Sequence, residues 1–447
     1  MILRCVCMFL AMLAASAAPA QAPSPTTSAR IRDAFLFAFP VYEMMRTRQS
    51  SLEAAARSGR GGVNRFAHRR TLSDHSHRGV TTPNNDTLYS SAWLDLSAGP
   101  VMIDVPATGA RYFSLALMDV FTDNFAYFGS RATGGRAVRA MVAGPAWRGR
   151  APAGVVLVRA PTNDVWALGR TLVDGPADLA AARAVQDGLT ATPAAAATPP
   201  RAFSVDTPLE PSPETFLGAV NEALTRNPPP PAHRARLARL RAFGVGADAP
   251  RWAALPQAVQ ATWQADFARL KASLANGLAA NSIKRDGWTY PKPGLGNFGA
   301  NDAYRAAVAL EGLAALEPVE ALYTFTREDA RGEPLDGARR YRLRIPANVP
   351  VDGFWSLSMY EVSPDGRLYF VENPIGRYSI GNRTQGLTRN ADGSLDVVIS
   401  RAEPPAPERA NWLPAPAGRF RMSFRAYRPR PEFVTLSFTL PAVAPGE

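Results

Sequence analysis

Three aspartates and a tyrosine, Asp86, Asp119, Asp123 and Tyr89, are the residues of this chain whose types best suit proton transfer. Carboxylates do general acid and base work when one of them has its pKa raised while a neighbour stays ionised. Asp119 has a setting for such a rise. It falls in register with Phe113, Leu115, Leu117 and Phe121, so a period of two turns it toward an apolar face. A carboxylate there has to be hydrogen-bonded, ion-paired or protonated, because an unpaired buried charge is costly. A hydrolase of glycosidic or amide bonds would need two such acids to converge. The competing reading is structural: Asp119 ties off the turn after its strand by accepting N–H groups between Val120 and Asn124.

A second set of residues suits binding rather than catalysis. Thr82-Pro83-Asn84-Asn85-Asp86-Thr87 is a polar turn leading into a strand, in which Asn84 and Asn85 either close the turn locally or grasp a polar ligand. Arg377 and Tyr378, within Gly376-Arg377-Tyr378-Ser379-Ile380-Gly381, offer a guanidinium fork for a carboxylate or phosphate. The alternative for Arg377 is an ion pair with a framework acid such as Asp365. Trp412, in the stiff run Asn411-Trp412-Leu413-Pro414-Ala415-Pro416, either stacks on a sugar ring or plugs a core. His75 and His77 alternate as metal ligands on a strand would, but Arg70 and Arg78 flank them and no Glu follows until Glu210. No metal and no cofactor is therefore expected. No nucleophile elbow, phosphate-binding loop or dinucleotide fingerprint occurs.

The elements that would position these residues occur twice. Asp86-Thr87-Leu88-Tyr89-Ser90 matches Glu320-Ala321-Leu322-Tyr323-Thr324 at an offset of 234, and Tyr112 to Phe128 matches Phe354 to Phe370 at an offset of 242. In the longer match six of 17 positions are identical: Ser114, Leu115, Val120, Asp123, Tyr127 and Phe128. A repeat outranks other signals of architecture. The paired acids are Asp86/Glu320, Asp95/Asp329, Asp119/Glu361 and Asp123/Asp365; acids present in both copies serve what the copies share, so function should concentrate where they differ.

Each copy shows short alternating strands with Pro, Gly and Asn turns between them. In the first these are Val101, Ile103 and Val105, then Phe113 to Phe121; in the second, Tyr341 to Ile345, Phe354 to Met359, Leu368 to Val371, Leu395 to Ile399 and Arg419 to Tyr427. Between the copies the chain turns Ala-rich and helical. Ser212-Pro213-Glu214 is a helix start, Asn301-Asp302 is another, and Val259, Trp263, Phe267, Leu270, Leu274 and Leu278 form one core stripe. An earlier helix begins near Ile31, with Pro40 kinking or ending it. The expected fold class is α+β, mainly β: two jelly-roll-like antiparallel β-sandwich domains related by internal duplication and joined by a helical segment. The expected boundaries are 1–22 signal peptide, 23–80 helix and loop, 81–171 first sandwich, 172–315 helical bridge and 316–447 second sandwich.

Composition narrows the partners. Met1-Ile2-Leu3-Arg4, an apolar stretch from Cys5 to Ala18 and then Ala20-Gln21-Ala22 have the layout of a cleavable export signal, which predicts a periplasmic or secreted protein. Both cysteines, Cys5 and Cys7, lie in that segment, so the mature chain has no thiol nucleophile and no disulfide. The net charge of +12 comes from 47 Arg against three Lys, in a chain also rich in Ala and Pro, which points to base composition rather than a nucleic-acid surface. No later stretch is long and apolar enough to span a bilayer. The expected partner is a small polar molecule or carbohydrate in a cleft between the two β domains, with a structural or assembly role, as a homo-oligomer, as a further alternative.

The run from Thr82 to Leu96, with Arg111-Tyr112-Phe113 and Thr122-Asp123-Asn124-Phe125, resembles domain of unknown function 1254. Gly353 to Tyr360, Arg377-Tyr378-Ser379-Ile380-Gly381, Asn390 to Leu395 and Asn411 to Pro416 resemble its usual companion, domain of unknown function 1214. The resemblance implies a pair of jelly-roll-like β domains with a helical bridge, often exported, with some fold similarity to peptide-N-glycanases. It implies no reaction.

Overall fold

A computed structural model describes residues 25–194, 203–275 and 277–446. The expected export signal and the Thr198-Pro199-Pro200 cluster lie outside the described residues. The fold is α+β, with two mainly antiparallel β halves that meet directly and a helical body to which Pro25–Ser58 and the helices between the two halves contribute.

Two sheets enclose the first core. One runs Ala67–His68, Thr87–Asp95, Asp164–Leu172, Phe113–Asp119, Asn124–Gly129; the other runs Val156–Arg159, Val138–Ala143, Val101–Val105, Thr190–Pro193. Alternation dictates the faces: Val101, Ile103 and Val105 are buried, while Met102 and Asp104 between them are half-buried. Phe113–Asp119 is buried along its whole length because both of its faces are covered. Phe113, Leu115 and Leu117 enter the first core, whereas Tyr112 and Ala116 pack on Phe354 and Tyr427 of the second half.

The second half repeats this order. Ala321–Thr326, Phe420–Tyr427, Trp355–Val362 and Leu368–Tyr369 lie side by side as their four counterparts do, with Trp288–Pro291 and Ser282–Arg285 added at one edge. The facing sheet runs Trp412–Pro414, Leu395–Ser400, Tyr341–Ile345, Ala444–Pro445. Its parallel pair, Leu395–Ser400 with Trp412–Pro414, has a parallel counterpart in Val138–Ala143 with Val156–Arg159.

Register makes the correspondence specific. Tyr89, Arg170, Ser114 and Gly129 sit directly opposite one another across four adjacent strands. Tyr323, Arg425 and Ser356 form the same row in the other half, which Gly381 closes from the short strand Ser379–Gly381 rather than from Leu368–Tyr369. The glycines close the row for one reason: a Cβ on Gly129 would lie 2.1 Å from the Phe113 carbonyl oxygen, and one on Gly381 would lie 2.3 Å from that of Trp355. Gly129→Ala and Gly381→Ala should each cost about 2 kcal/mol, within the range of a forced backbone shift. Urea unfolding of the two variants checks this, and near-equal losses are expected.

The helices share a core with the first β half, whose Trp93, Met118, Val120 and Phe121 enter it. Pro25–Ser58 is one helix of 34 residues that passes straight through Pro40 rather than ending there. A proline inside a helix costs about 3 kcal/mol, and burial of Phe35, Phe37, Phe39, Val41, Tyr42, Met44 and Met45 along the same helix offsets it. Phe35 packs on Phe216 and Phe267. The expected stripe holds in Gln257–Leu274, where Val259, Trp263, Phe267, Leu270 and Leu274 are buried; Leu278 falls on the separate turn Gly277–Ala280 and joins another cluster. Ser212 and Asn301 cap Pro213–Arg226 and Asp302–Glu311 through their side-chain oxygens, which accept from Thr215 and Tyr304 N–H. Finally, residues 74–84 cross onto the second half: His75 meets Tyr378, Arg78 pairs with Glu361, and Thr82 N–H donates to the Leu368 carbonyl.

Candidate functional site

A cleft of about 450 Å³ opens where the turn after Phe113–Asp119 meets the helical segment. Asp119, Asp123, Asn124 and Tyr127 line it from the first β half, His233 and Asn297 from the helical segment, and Glu317 from the connection to the second half. The turn is held by its own acids. Asp119 Oδ1 accepts Phe121 N–H at 2.9 Å and Asp123 N–H at 3.1 Å, while Thr122 between them takes φ 71°. The structural reading of Asp119 thus describes one of its two oxygens.

The electrostatics leave room for more. Burial, with the Asp123 carboxyl beside it, pushes Asp119 up to about 7, against the opposing pull of Arg305. Asp123 is held from two sides, accepting Phe298 N–H at 2.8 Å and pairing with Arg305 at 2.9 Å. Arg305 comes from Asp302–Glu311, is buried, and also donates to the Phe121 carbonyl. His233 goes the other way: burial and the neighbouring Arg305 and Arg236 push it down to about 3. Arg236 donates to its Nδ1, so the neutral ring carries its proton on Nε2. Burial also raises Glu317. The cleft therefore presents carboxyls, amides, a phenol and a neutral imidazole, with Phe125 as an apolar wall. One of the carboxyls exchanges its proton near neutral pH.

Asp86 lies elsewhere. It is buried where the two β halves meet, and its Oδ2 accepts Ser356 Oγ–H at 2.6 Å and Tyr427 O–H at 3.1 Å. Asn84 donates to the same Tyr427 hydroxyl at 2.7 Å and holds Asp86 N–H with its carbonyl. Burial raises the Asp86 carboxyl, though Arg425 and its two hydroxyl donors pull the other way. Asn85 keeps a buried Oδ1 that no protein donor meets. Tyr89 lies under Arg170, with the guanidinium carbon 5.4 Å from the ring centre. Asp86 and Tyr89 therefore do not share the cleft of Asp119 and Asp123.

The second-half residues are spent on their own loops. Arg377 Nη1 donates to the carbonyls of Ala410 and Trp412, at 2.9 and 2.8 Å, while Asp365 pairs with Arg367. Trp412 is 1% exposed and its indole N–H donates to the Ser400 carbonyl, which leaves no open ring face for a sugar. Tyr378 accepts His75 or donates to it at 2.7 Å and packs on Phe370. His77 pairs with Asp74 beside it, away from His75. Among the described residues no three His, Cys, Asp or Glu side chains converge as a metal site would require.

His233, Asn297 and Glu317 line the cleft, and Arg305 lies behind it against Asp123; none carries a signal in the sequence. They lie on four different segments, and only folding brings them to Asp119. Arg170 and Arg425 were equally hidden. Their strands share no other residue at matching positions, so a single shared Arg in a chain of 47 carries no weight.

Comparison with known proteins agrees with this architecture. The VPA0106 protein of Vibrio parahaemolyticus superposes with a TM-score of 0.73 at 23% identity, covering 94% of this chain and 100% of that one. A putative uncharacterised protein of Burkholderia cenocepacia covers 94% of both chains at 14% identity, with a TM-score of only 0.43. No curated protein sequence matches. Residues 63–193 match the model of the protein of unknown function DUF1254 and residues 320–431 that of DUF1214, so the chain carries a DUF1254 region followed by a DUF1214 region.

Proposed function

We propose that this protein binds a small, hydroxyl-bearing polar ligand, with carbohydrate as the first class to test, in the cleft around Asp119. The observation that carries this reading is the collection of an unsaturated carboxyl, Glu317, Asn124, Asn297, Tyr127 and a neutral His233 around one cavity of about 450 Å³. Such a wall offers both donors and acceptors without a dominant charge, as a neutral polyol needs. The cleft sits between the first β half and the helical segment, not between the two β halves. A thermal-shift screen of neutral saccharides and polyols tests it. A saturable rise should appear that Asp119→Asn or Asn297→Ala abolishes and that surface Arg383→Ala leaves intact. If no compound stabilises the chain, or if Asn297→Ala and Asp119→Asn bind as the native protein does, the reading is wrong.

A second reading rests on the Asp119 proton. A carboxyl that titrates near neutral pH is matched to general acid or base catalysis, which keeps hydrolysis of a glycosidic or amide bond as the alternative activity. Asp123, engaged by Phe298 N–H and Arg305, is then a positioning group for Asp119 rather than a nucleophile. We further infer that the two β halves are jelly-roll-like sandwiches descended from one doubled ancestor. The paired Tyr–Arg–Ser–Gly rows and the matching strand orders support this. The leader-like first residues support export, and the domain limits given above follow the same division.

A further inference from the structure

The two rows face each other where the β halves meet, and their charges do not balance in the same way. Arg425 is 2% exposed and both of its Nη atoms are satisfied, donating to Ser358 Oγ at 2.6 Å, to Tyr360 Oη at 2.5 Å and to the Thr82 carbonyl at 3.2 Å, while its Nε meets no acceptor. Asp86, reaching across from the first half, acts on it electrostatically without a direct ion pair. Arg170 occupies the equivalent place and is 6% exposed, yet only its Nη2 finds an acceptor, the Ala314 carbonyl at 3.2 Å. Its Nε and Nη1 are buried and meet no protein acceptor.

The missing countercharge has an identifiable cause. By the correspondence of the two halves, Glu320 should do for Arg170 what Asp86 does for Arg425. Glu320 instead pairs with Arg131 at 2.6 Å, and accepts Tyr112 O–H at 3.3 Å. The groups that act most on Arg170 are phenols, Tyr89, Tyr323 and Tyr112, which carry no charge at neutral pH. Two arginines thus share one carboxylate on this side, where the other side has one of each. A buried guanidinium without a countercharge is strongly disfavoured. The Tyr323 hydroxyl, which faces the same group of side chains, and the Ser114 hydroxyl next to Arg170 in the row, are also buried with no partner at full hydrogen-bond geometry, although Tyr427 and Tyr112 approach them.

We propose that Arg170 holds a compact, singly charged anion, a halide or the carboxylate of a small organic acid, at this junction of the β halves, with the hydroxyls of Tyr323 and Ser114 as further donors. The anion completes on one side the charge balance that Asp86 completes on the other. It binds apart from the Asp119 cleft, so the two readings stand or fall separately.

Thermal unfolding in sodium bromide, sodium acetate and sodium gluconate at constant ionic strength tests this, with gluconate as the anion too large to enter. The native chain should show a saturable stabilisation by bromide or acetate over gluconate; bromide marks a halide site and acetate alone a carboxylate site. Tyr323→Phe and Ser114→Ala should weaken the midpoint about tenfold each, the loss expected for one hydrogen bond to a charged group. Arg170→Met should remove the anion dependence, and Asp119→Asn should keep it. Should Arg170→Met fail to fold, the two hydroxyl variants and the anomalous bromide peak in crystals, expected within hydrogen-bond reach of Arg170, decide the question. Equal anion dependence in the native and Tyr323→Phe proteins together with no bromide or acetate density at Arg170 would overturn the proposal. So would tyrosinate absorbance at neutral pH that disappears in Tyr89→Phe, because an internal phenolate would then supply the charge.

Discussion

Arg425→Met should destabilise the protein by about 3–5 kcal/mol, the cost of taking the cation out of a buried charged hydrogen-bond network. The residue lies at the centre of a network that spans both β halves. It holds Tyr360 and Ser358 within its own sheet, the Thr82 carbonyl of the crossing segment, and the charge of Asp86. Without it Asp86 keeps two hydroxyl donors but loses the cation that offsets its burial. Arg425→Met with Asp86→Asn should therefore recover part of the loss, and a double-mutant cycle in urea measures how much. The loss also depends on pH in a definite direction. The folded carboxyl of Asp86 is raised by burial, so its contribution is present at low pH and disappears as pH rises through the folded value. Arg425→Met should accordingly be penalised less at acid pH than at pH 8; a larger penalty in acid would contradict the assignment.

Asp119→Asn should do the opposite and stabilise the chain at alkaline pH. Asparagine preserves the acceptor that Phe121 and Asp123 N–H require, and removes an acid whose folded state titrates near 7. Because that value exceeds the unfolded one, near 3.9, native stability from this group is full below about pH 4 and is lost as pH rises toward 7. The gain in the variant should reach at most about 4 kcal/mol at pH 8 and vanish in acid. His233 works against this slope, since its folded value of about 3 lies below the unfolded one and its contribution is lost as pH falls from about 6.5. In the native protein the two slopes oppose each other between about pH 4 and 6.5; in Asp119→Asn only that of His233 remains. Denaturation midpoints across this range, with Asp123, Arg305, Arg236 and Glu317 intact around the site, separate the two groups.

The sheets were legible in the sequence because they obey a period of two and repeat. Tyr341–Ile345 is read to the residue, and Leu395–Ser400 and Phe420–Tyr427 to within one at an end. Pro40 does not end its helix, because local propensity cannot register the burial of the residues around it. The candidate site was legible only in part. Asp119 announced itself by its parity with an apolar strand, and Asp123 by its double, but the cleft partners come from distant elements whose meeting no spacing encodes. Trp412 and Arg377 looked functional because each is conspicuous in a polar loop. Burial turns the first into a core plug, and the second ties that loop to its neighbour through two carbonyls. The acids of the Asp95 and Asp329 turns both accept backbone N–H groups, and each also pairs with an arginine, Arg226 and Arg339.

The ionisation of Asp119 is the decisive measurement. The side-chain carboxyl carbon resonance of Asp119, followed by NMR from pH 4 to 9 and assigned through its absence in Asp119→Asn, should titrate with a midpoint near 7. It should shift again when a saccharide identified by thermal stabilisation is added. A midpoint at the ordinary aspartate value, with no response to any such compound, would contradict a cleft built around a shared proton.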